Sequence, residues 1–279
     1  MKKVLFKGFW PGFDPSQHSA FNWVFDKLGI SIISEGTPDI IVYGTWGSPD
    51  SIGDKICKVS FTGERTVPNM DIYDFAFSFE NLENKRHFRF PLYLWNHDSY
   101  FSLDNRKQQD WAKGKGKFCN FLYGNNNQNL DGVAARNKFF SLLSQYKGVD
   151  SGGGVLNNMG IRVQDKIKFL QDYKFTIAFE NQVSDGYVTE KIIDPFISGS
   201  LPIYRGSPNV FQDFNQGSFI NALDFPDLES LVHRIIEIDK DDELYNHIMN
   251  SRILPDPVPD WATREWYISC WENIINFSK

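Results

Sequence analysis

Residues 174–204 read KFTIAFENQVSDGYVTEKIIDPFISGSLPIY, and their pattern sets the fold class. The run 174–179 is apolar, short and rich in strand formers; 188–198 has the length and spacing of a helix; 201–204 is a second strand. Strands separated by helices indicate a parallel α/β layer. Outward from this unit the same grammar continues. Upstream lie a strand at 118–123 and a helix at 132–146, and downstream a short strand at 218–221 and helices at 227–238, 242–251 and 262–277. The first third repeats it: strands at 3–8, 30–34, 39–44, 56–61 and 73–79, with a helix at 18–28. Between the two halves, residues 94–116 are polar and run into Lys113-Gly114-Lys115-Gly116-Lys117, which reads as a solvated interdomain connection or, less simply, as a phosphate site. The expected organisation is two α/β domains, 1–108 and 109–279. Ligands of open parallel sheets gather at the carboxyl ends of strands and at domain interfaces.

Composition narrows the function classes. With 279 residues and 41% apolar content the chain can bury a large core. Its formal charge is −6, and its cations are spread without a block, which argues against an extended nucleic-acid footprint. No apolar stretch approaches the ~20 residues that span a bilayer. The N-terminal MKKVLFK enters a strand pattern at once, without the apolar region of a signal peptide. Cys57, Cys119 and Cys270 lack CxxC spacing and read as reduced core thiols, so the expected location is cytoplasmic. Eight Trp and 25 Phe exceed what a core alone usually needs. Flat rings suit the C–H faces of sugars and the faces of nucleobases, although a Phe-rich core explains most of them.

Three familiar signatures are missing: GxxxxGK[ST], GxGxxG after a strand, and HExxH. Asp239-Lys240-Asp241 reads as solvated surface, so no ligand set for a metal-clamped diphosphate is evident. Phe179-Glu180-Asn181 closes an apolar strand, and Tyr187-Val188-Thr189-Glu190-Lys191 opens a helix. Helix-start N–H groups favour phosphate. A cation at Lys191 opposes the helix dipole, which points to a bound anion there, whereas Thr189 has the simpler role of a cap. Arg136, at the opening of the helix after strand 118–123, is a second cation able to reach the same crevice. Gly152-Gly153-Gly154 and Arg205-Gly206-Ser207-Pro208 are tight loops that allow close backbone approach.

The ordered run FEN, DGYVTEK, PIY, GSPN and SFIN within residues 174–224 resembles the donor-binding region of the alpha-1,3/1,4-fucosyltransferases, particularly the bacterial ones. Phe61-Thr62-Gly63-Glu64 with Val67-Pro68-Asn69 resembles the acceptor-side segment of that family, and Arg136-Asn137 its phosphate-binding arginine. The resemblance implies a GT-B architecture, two Rossmann-like domains with parallel sheets facing a cleft, and inverting transfer of fucose from GDP-fucose without a divalent metal or other cofactor. It implies Arg136 and Lys191 on the diphosphate, and Asn181, Tyr187 and Glu190 on nucleotide or fucose, with Val188 and Thr189 in the same donor-binding run. Glu64 is then the general base; read alone, it is more simply a strand-end carboxylate pairing with Arg65 or a lysine. The expected partners are GDP-fucose and a glycan acceptor containing N-acetylglucosamine, linked alpha-1,3. Trp10, Phe13 and His18 are the acceptor-side candidates, because their loop follows the first strand; a Phe-Trp-Pro cluster also simply seals a sheet end. Position 205 is Arg where the bacterial relatives carry Trp. The sequence ends at Lys279 without the heptad repeats and basic amphipathic tail of some relatives, so membrane association by such a tail is not expected. A transferase using another nucleotide sugar, and a glycan-binding module that has lost catalysis, are the alternatives.

Overall fold

The computed structural model describes residues 1–49 and 55–277. In chain order the elements are β1 (Lys3–Lys7), α1 (Asn22–Leu28), β2 (Ser31–Ile33), β3 (Ile40–Tyr43), β4 (Cys57–Phe61), β5 (Phe75–Ser78), β6 (His87–Arg89) and α2 (His97–Ser102). There follow β7 (Lys117–Phe121), α3 (Asp131–Leu143), β8 (Val149–Ser151), α4 (Lys166–Leu170), β9 (Tyr173–Phe179), α5 (Glu190–Ser198), β10 (Leu201–Arg205) and β11 (Ile220–Asn221). The chain finishes with α6 (Leu228–Lys240), α7 (Asp242–Met249) and α8 (Arg264–Ile275). It divides into two compact units, Met1–Tyr100 with Pro257–Lys279, and Phe101–Asp256.

In the first unit six strands form one all-parallel sheet in the order β2-β1-β3-β4-β5-β6. Continuous apolar runs such as Ile40–Tyr43 are buried along their length, as expected of a sheet covered on both faces. α1 ends at Gly29, whose φ of 64° is the left-handed C-cap conformation. The terminal segment belongs here and not to the second half, where the 109–279 boundary places it. The reason is packing: Trp271 is wholly buried, with its ring centroid 4.8 Å from Phe25 and 5.4 Å from Phe77. Tyr267 donates its hydroxyl to Ala20 O at 2.6 Å.

The second unit holds a five-stranded parallel sheet in the order β11-β10-β9-β7-β8. β9 and β10 pair from Phe175↔Leu201 to Phe179↔Arg205, with α5 as their crossover. Phe121, Phe139, Phe175, Phe179, Ile203 and Ile235 fill its core. Of residues 94–116, expected as a solvated connection, those from 101 onward are in part docked on this unit. Arg106 donates to Met249 O at 2.8 Å and lies 3.9 Å over the Trp111 ring, and the Trp111 indole donates to Asn250 Oδ1 at 2.9 Å. Asp239 is likewise not solvated: its side chain is only 4% exposed and meets Lys147 at 3.2 Å and Lys174 at 3.5 Å. Burial of α6 against the sheet carries this carboxylate inward, where two lysines compensate it. The cysteine side chains are buried on β4, β7 and α8. Among the described residues no helix is long and apolar enough to cross a membrane.

Candidate active site

In the second unit the carboxyl ends of β7 and β9, the second turn of α3, where Arg136 sits rather than at the helix opening, and the first turn of α5 border a cavity of ≈ 220 Å³. Its wall includes Tyr123, Asn125, Arg136, Asn181, Glu190 and Lys191. The wall is built from the backbone outward. The Tyr123 hydroxyl accepts the Phe179 N–H at 2.7 Å and lies within donating distance of Ile177 O, 2.9 Å, and Phe179 O, 3.1 Å, which fixes its ring against β9. The Arg136 guanidinium stacks on that ring at 4.0 Å. It donates Nη1 to Asn181 Oδ1 at 2.8 Å and Nη2 to Asn125 O at 2.5 Å.

Arg136 is wholly buried, and all three of these contacts are to neutral groups. Its Nε–H has no hydrogen-bond partner among the described residues. Buried cations are ordinarily paired with an anion, and an unpaired buried donor in a native fold calls for a partner. α3 can approach this closely because position 132 is glycine: a Cβ there would fall 2.1 Å from Glu180 O. The Gly132 N–H donates instead to Asn181 O at 3.1 Å.

Lys191 faces the same cavity in a different electrostatic setting. Its Nζ lies 3.2 Å from Glu180 Oε2, 3.1 Å from Glu190 Oε1 and 3.0 Å from Thr189 Oγ1. Burial draws the ammonium pKa down, but the Glu180 and Glu190 carboxylates outweigh it and hold the pKa above its ordinary value. Burial raises Glu180 above the usual carboxylate range, with Lys191 opposing that rise. The mismatch of a cation with the helix dipole therefore has a local answer in two carboxylates. Thr189 is the N-cap of α5, accepting from the Lys191 N–H at 3.4 Å, and its hydroxyl donates to Glu180 at 2.7 Å.

Tyr187, Val188 and Thr189 are buried, and none of the three borders the cavity. Their loop is pinned from β10 onward: the Gly186 N–H donates to Ser207 Oγ at 2.9 Å and Asn209 Oδ1 at 2.8 Å, which is the structural use of the GSPN motif. Gly206 is compelled, since a Cβ would lie 2.5 Å from Glu180 Cγ. Arg205 forms a 2.9 Å ion pair with Asp131, the first residue of α3. Sequence reasoning gave no role to Tyr123, Asn125, Glu180 or Lys166, although all but Glu180 border the cavity. A Glu closing a run of buried apolar residues was the one available signal, for Glu180. Lys166 Nζ lies 2.5 Å from Asp194 Oδ2 at the rim.

In the first unit Glu64 is exposed, on the loop that follows β4 at the carboxyl edge of the sheet. Its N–H donates to Thr62 Oγ1 at 3.1 Å, and Thr62 Oγ1 lies 3.0 Å from Thr45 Oγ1. Trp10, Phe13 and His18 share one aromatic cluster. Phe13 and His18 stack at 4.9 Å, and Trp10 packs on Phe13 at 4.7 Å and His18 at 5.6 Å while keeping 40% of its surface exposed. Burial lowers the His18 pKa. Among the described residues no group of three or more His, Cys, Asp or Glu side chains could hold a metal ion.

Comparison with known proteins gives this geometry a context. The C-terminal model of glycosyltransferase family 10 (fucosyltransferase) matches residues 112–253, and that of the alpha-(1,3)-fucosyltransferase FucT N-terminal domain matches residues 4–96. The chain is 32% identical over 214 residues to the Helicobacter pylori alpha-(1,3)-fucosyltransferase FucT, covering 64% of this chain and 43% of that protein. It is 31% identical over 140 residues to Drosophila melanogaster alpha-(1,3)-fucosyltransferase B, covering 44% and 31%. It thus spans less than half the length of these relatives. A crystal structure of an alpha1,3-fucosyltransferase with GDP-fucose superposes with TM-score 0.82 at 23% identity, covering 100% of this chain and 91% of that one. A glycosyltransferase from Rickettsia africae gives TM-score 0.51 at 11% identity, covering 99% of each chain. These likenesses establish the GT-B fold.

Proposed function

The chain belongs to glycosyltransferase family 10, the fucosyltransferases, and on that premise we propose that it transfers L-fucose from GDP-fucose to a glycan hydroxyl with inversion. The observation that carries the donor side is Arg136: a buried guanidinium held by neutral groups at a cavity wall, with one N–H left over, is suited to a diphosphate. Lys191 supplies the second cation and Asn181 a polar contact, while Glu190 borders the same space and is available to hydroxyls of ribose or fucose. Tyr187, Val188 and Thr189 act by shaping the loop that presents Glu190 and Lys191.

In the reaction the acceptor oxygen attacks the anomeric carbon from the face opposite GDP. The C1–O bond to phosphate breaks with its electron pair leaving on GDP, and the hydroxyl proton passes to the Glu64 carboxylate. Arg136 and Lys191 stabilise the charge that grows on GDP, a role fixed cations fill without reorganisation and without a metal. The acceptor proposed is an N-acetylglucosamine-containing glycan with an alpha-1,3 linkage formed, and the cytoplasm is the proposed site of action.

The test is incubation with N-acetyllactosamine and GDP-fucose, GDP-mannose or UDP-sugars in excess EDTA, following both free nucleotide and fucosylated product. Transfer from GDP-fucose alone is the expected result. Transfer from another donor would reassign the sugar, and binding of GDP-fucose without product would leave a glycan-binding module. Activity abolished by EDTA and restored by metal would defeat the metal-free mechanism.

A further inference from the structure

We infer that Trp46 is the stacking platform for the acceptor saccharide, and so a specificity-determining residue beside the base. The inference deepens the proposed function and rests on it for the role of Glu64. Trp46 is 68% exposed, against 40% for Trp10. An isolated exposed apolar side chain is ordinary on a protein surface; three further observations set this one apart.

The first is its address. Trp46 follows β3 at the carboxyl edge of the first sheet, where the loops after β1 and β4 also emerge. Its neighbour Thr45 places Oγ1 3.0 Å from Thr62 Oγ1, and that same Thr62 oxygen accepts the Glu64 N–H at 3.1 Å. One hydroxyl therefore joins the backbone of the proposed base to the loop that carries the indole.

The second is rigidity. The Trp46 N–H donates to Gly8 O at 3.0 Å, and Gly44 N–H to Lys7 O at 2.9 Å. Gly8 has φ +67°, and a Cβ there would sit 2.1 Å from Gly47 Cα; one on Gly44 would sit 2.8 Å from Phe9 Cγ. Tyr73 donates its hydroxyl to Gly47 O at 3.3 Å. The β1 and β3 loops interlock through glycines that tolerate no side chain, which fixes the backbone under an indole left in water. A backbone fixed in advance lowers the ordering cost of binding a ring to the indole it carries.

The third is what the other rings do. Trp10 lies against Phe13, His18 and Trp95, the last at 5.7 Å, so its ring is already packed within a cluster that leaves less of it in water than Trp46. Val67, three residues beyond Glu64 on its own loop, is 61% exposed. Two exposed apolar side chains on the loops flanking a carboxylate match a pyranose ring, which offers an apolar C–H face beside its hydroxyls. A hydroxyl of that ring is then held near Glu64 by contacts that need no charge.

The experiment compares wild type, Trp46→Ala and Trp46→Phe with GDP-fucose and N-acetyllactosamine. Trp46→Ala should raise the acceptor KM roughly tenfold or more, as loss of a Trp anchor does, with Trp46→Phe recovering most of it. The GDP-fucose KM and the acceptor-independent hydrolysis of GDP-fucose should stay unchanged, which a general folding defect would not allow. An unchanged acceptor KM in Trp46→Ala overturns the inference. Should wild type show no turnover with any donor, the proposed function fails separately. Titration of N-acetyllactosamine by NMR in the presence of GDP then decides this inference: weaker binding by Trp46→Ala supports it, and equal affinity overturns it.

Discussion

Lys191 Nζ sits 3.2 Å from Glu180 Oε2, an oxygen of a carboxylate wholly shut off from water. The lysine therefore has two duties, holding this carboxylate in the fold and facing the cavity. Lys191→Ala leaves a buried charge without its partner and should cost roughly 3–5 kcal/mol of stability. Lys191→Ala combined with Glu180→Gln should recover most of that loss in thermal unfolding, because the amide still reaches Thr189. GDP affinity by calorimetry should remain at least tenfold below wild type in the double variant. Wild-type GDP binding there would remove Lys191 from the donor site.

Arg136→Lys should be as damaging to donor binding as many alanine substitutions. A lysine has one point of charge and cannot stack on Tyr123 while forking to Asn181 and Asn125. Losing a charge-assisted contact should weaken GDP and GDP-fucose by about 1.5–3 kcal/mol and leave guanosine little affected. Equal losses for guanosine and GDP would indicate a damaged fold instead.

Glu64→Gln should lower transfer roughly 100-fold or more while keeping GDP-fucose affinity within a few-fold, the range expected for a lost proton acceptor. The backbone contact to Thr62 survives the change, so the loop should keep its form. Near-normal turnover would take Glu64 out of the mechanism.

The first unit should lose stability in mild acid through two buried histidines. Burial first, then the nearby Arg264 charge, push His97 down to about 3, and burial pushes His87 down to about 4. Both lie below the unfolded value of about 6.5, so the unfolded chain binds protons first as pH falls. Stability is retained above about 6.5 and drains away toward about 4 at roughly 1.4 kcal/mol per pH unit for each histidine. Denaturant unfolding of wild type and His97→Phe at about pH 7 and about pH 5 should show a smaller drop in the variant. Equal drops would mean that His97 takes up its proton in the folded state.

Most of the fold was legible because most of its strands are apolar runs with breakers between them, the three-residue SII of β2 included. β6 and β8 were missed for the opposite reason: HFR and VDS are three-residue strands whose polar members are paid no attention by a periodicity search. The five residues of α4 are likewise too few to show a helical period. Asn181, Glu190, Lys191 and Arg136 come from one motif run and one helix, and the fold brings all four to one cavity. Tyr123 and Glu180 were invisible as functional residues, since what they do depends on partners reached only through the sheet: Arg136 for Tyr123, and Thr189 and Lys191 for Glu180. Trp46 escaped notice because exposure is not written in a sequence.

The return of the chain to its first unit has a consequence for synthesis. Domains usually fold in the order in which the ribosome delivers them. Here the first sheet emerges early but its covering residues Tyr267 and Trp271 arrive last, after the whole of Phe101–Asp256 has been made. At bacterial and eukaryotic elongation rates that gap lasts roughly 8–30 s. Throughout it Phe25 and Phe77 lack their Trp271 contact, so the nascent chain exposes an apolar face that the finished protein hides, a window in which a chaperone has something to hold.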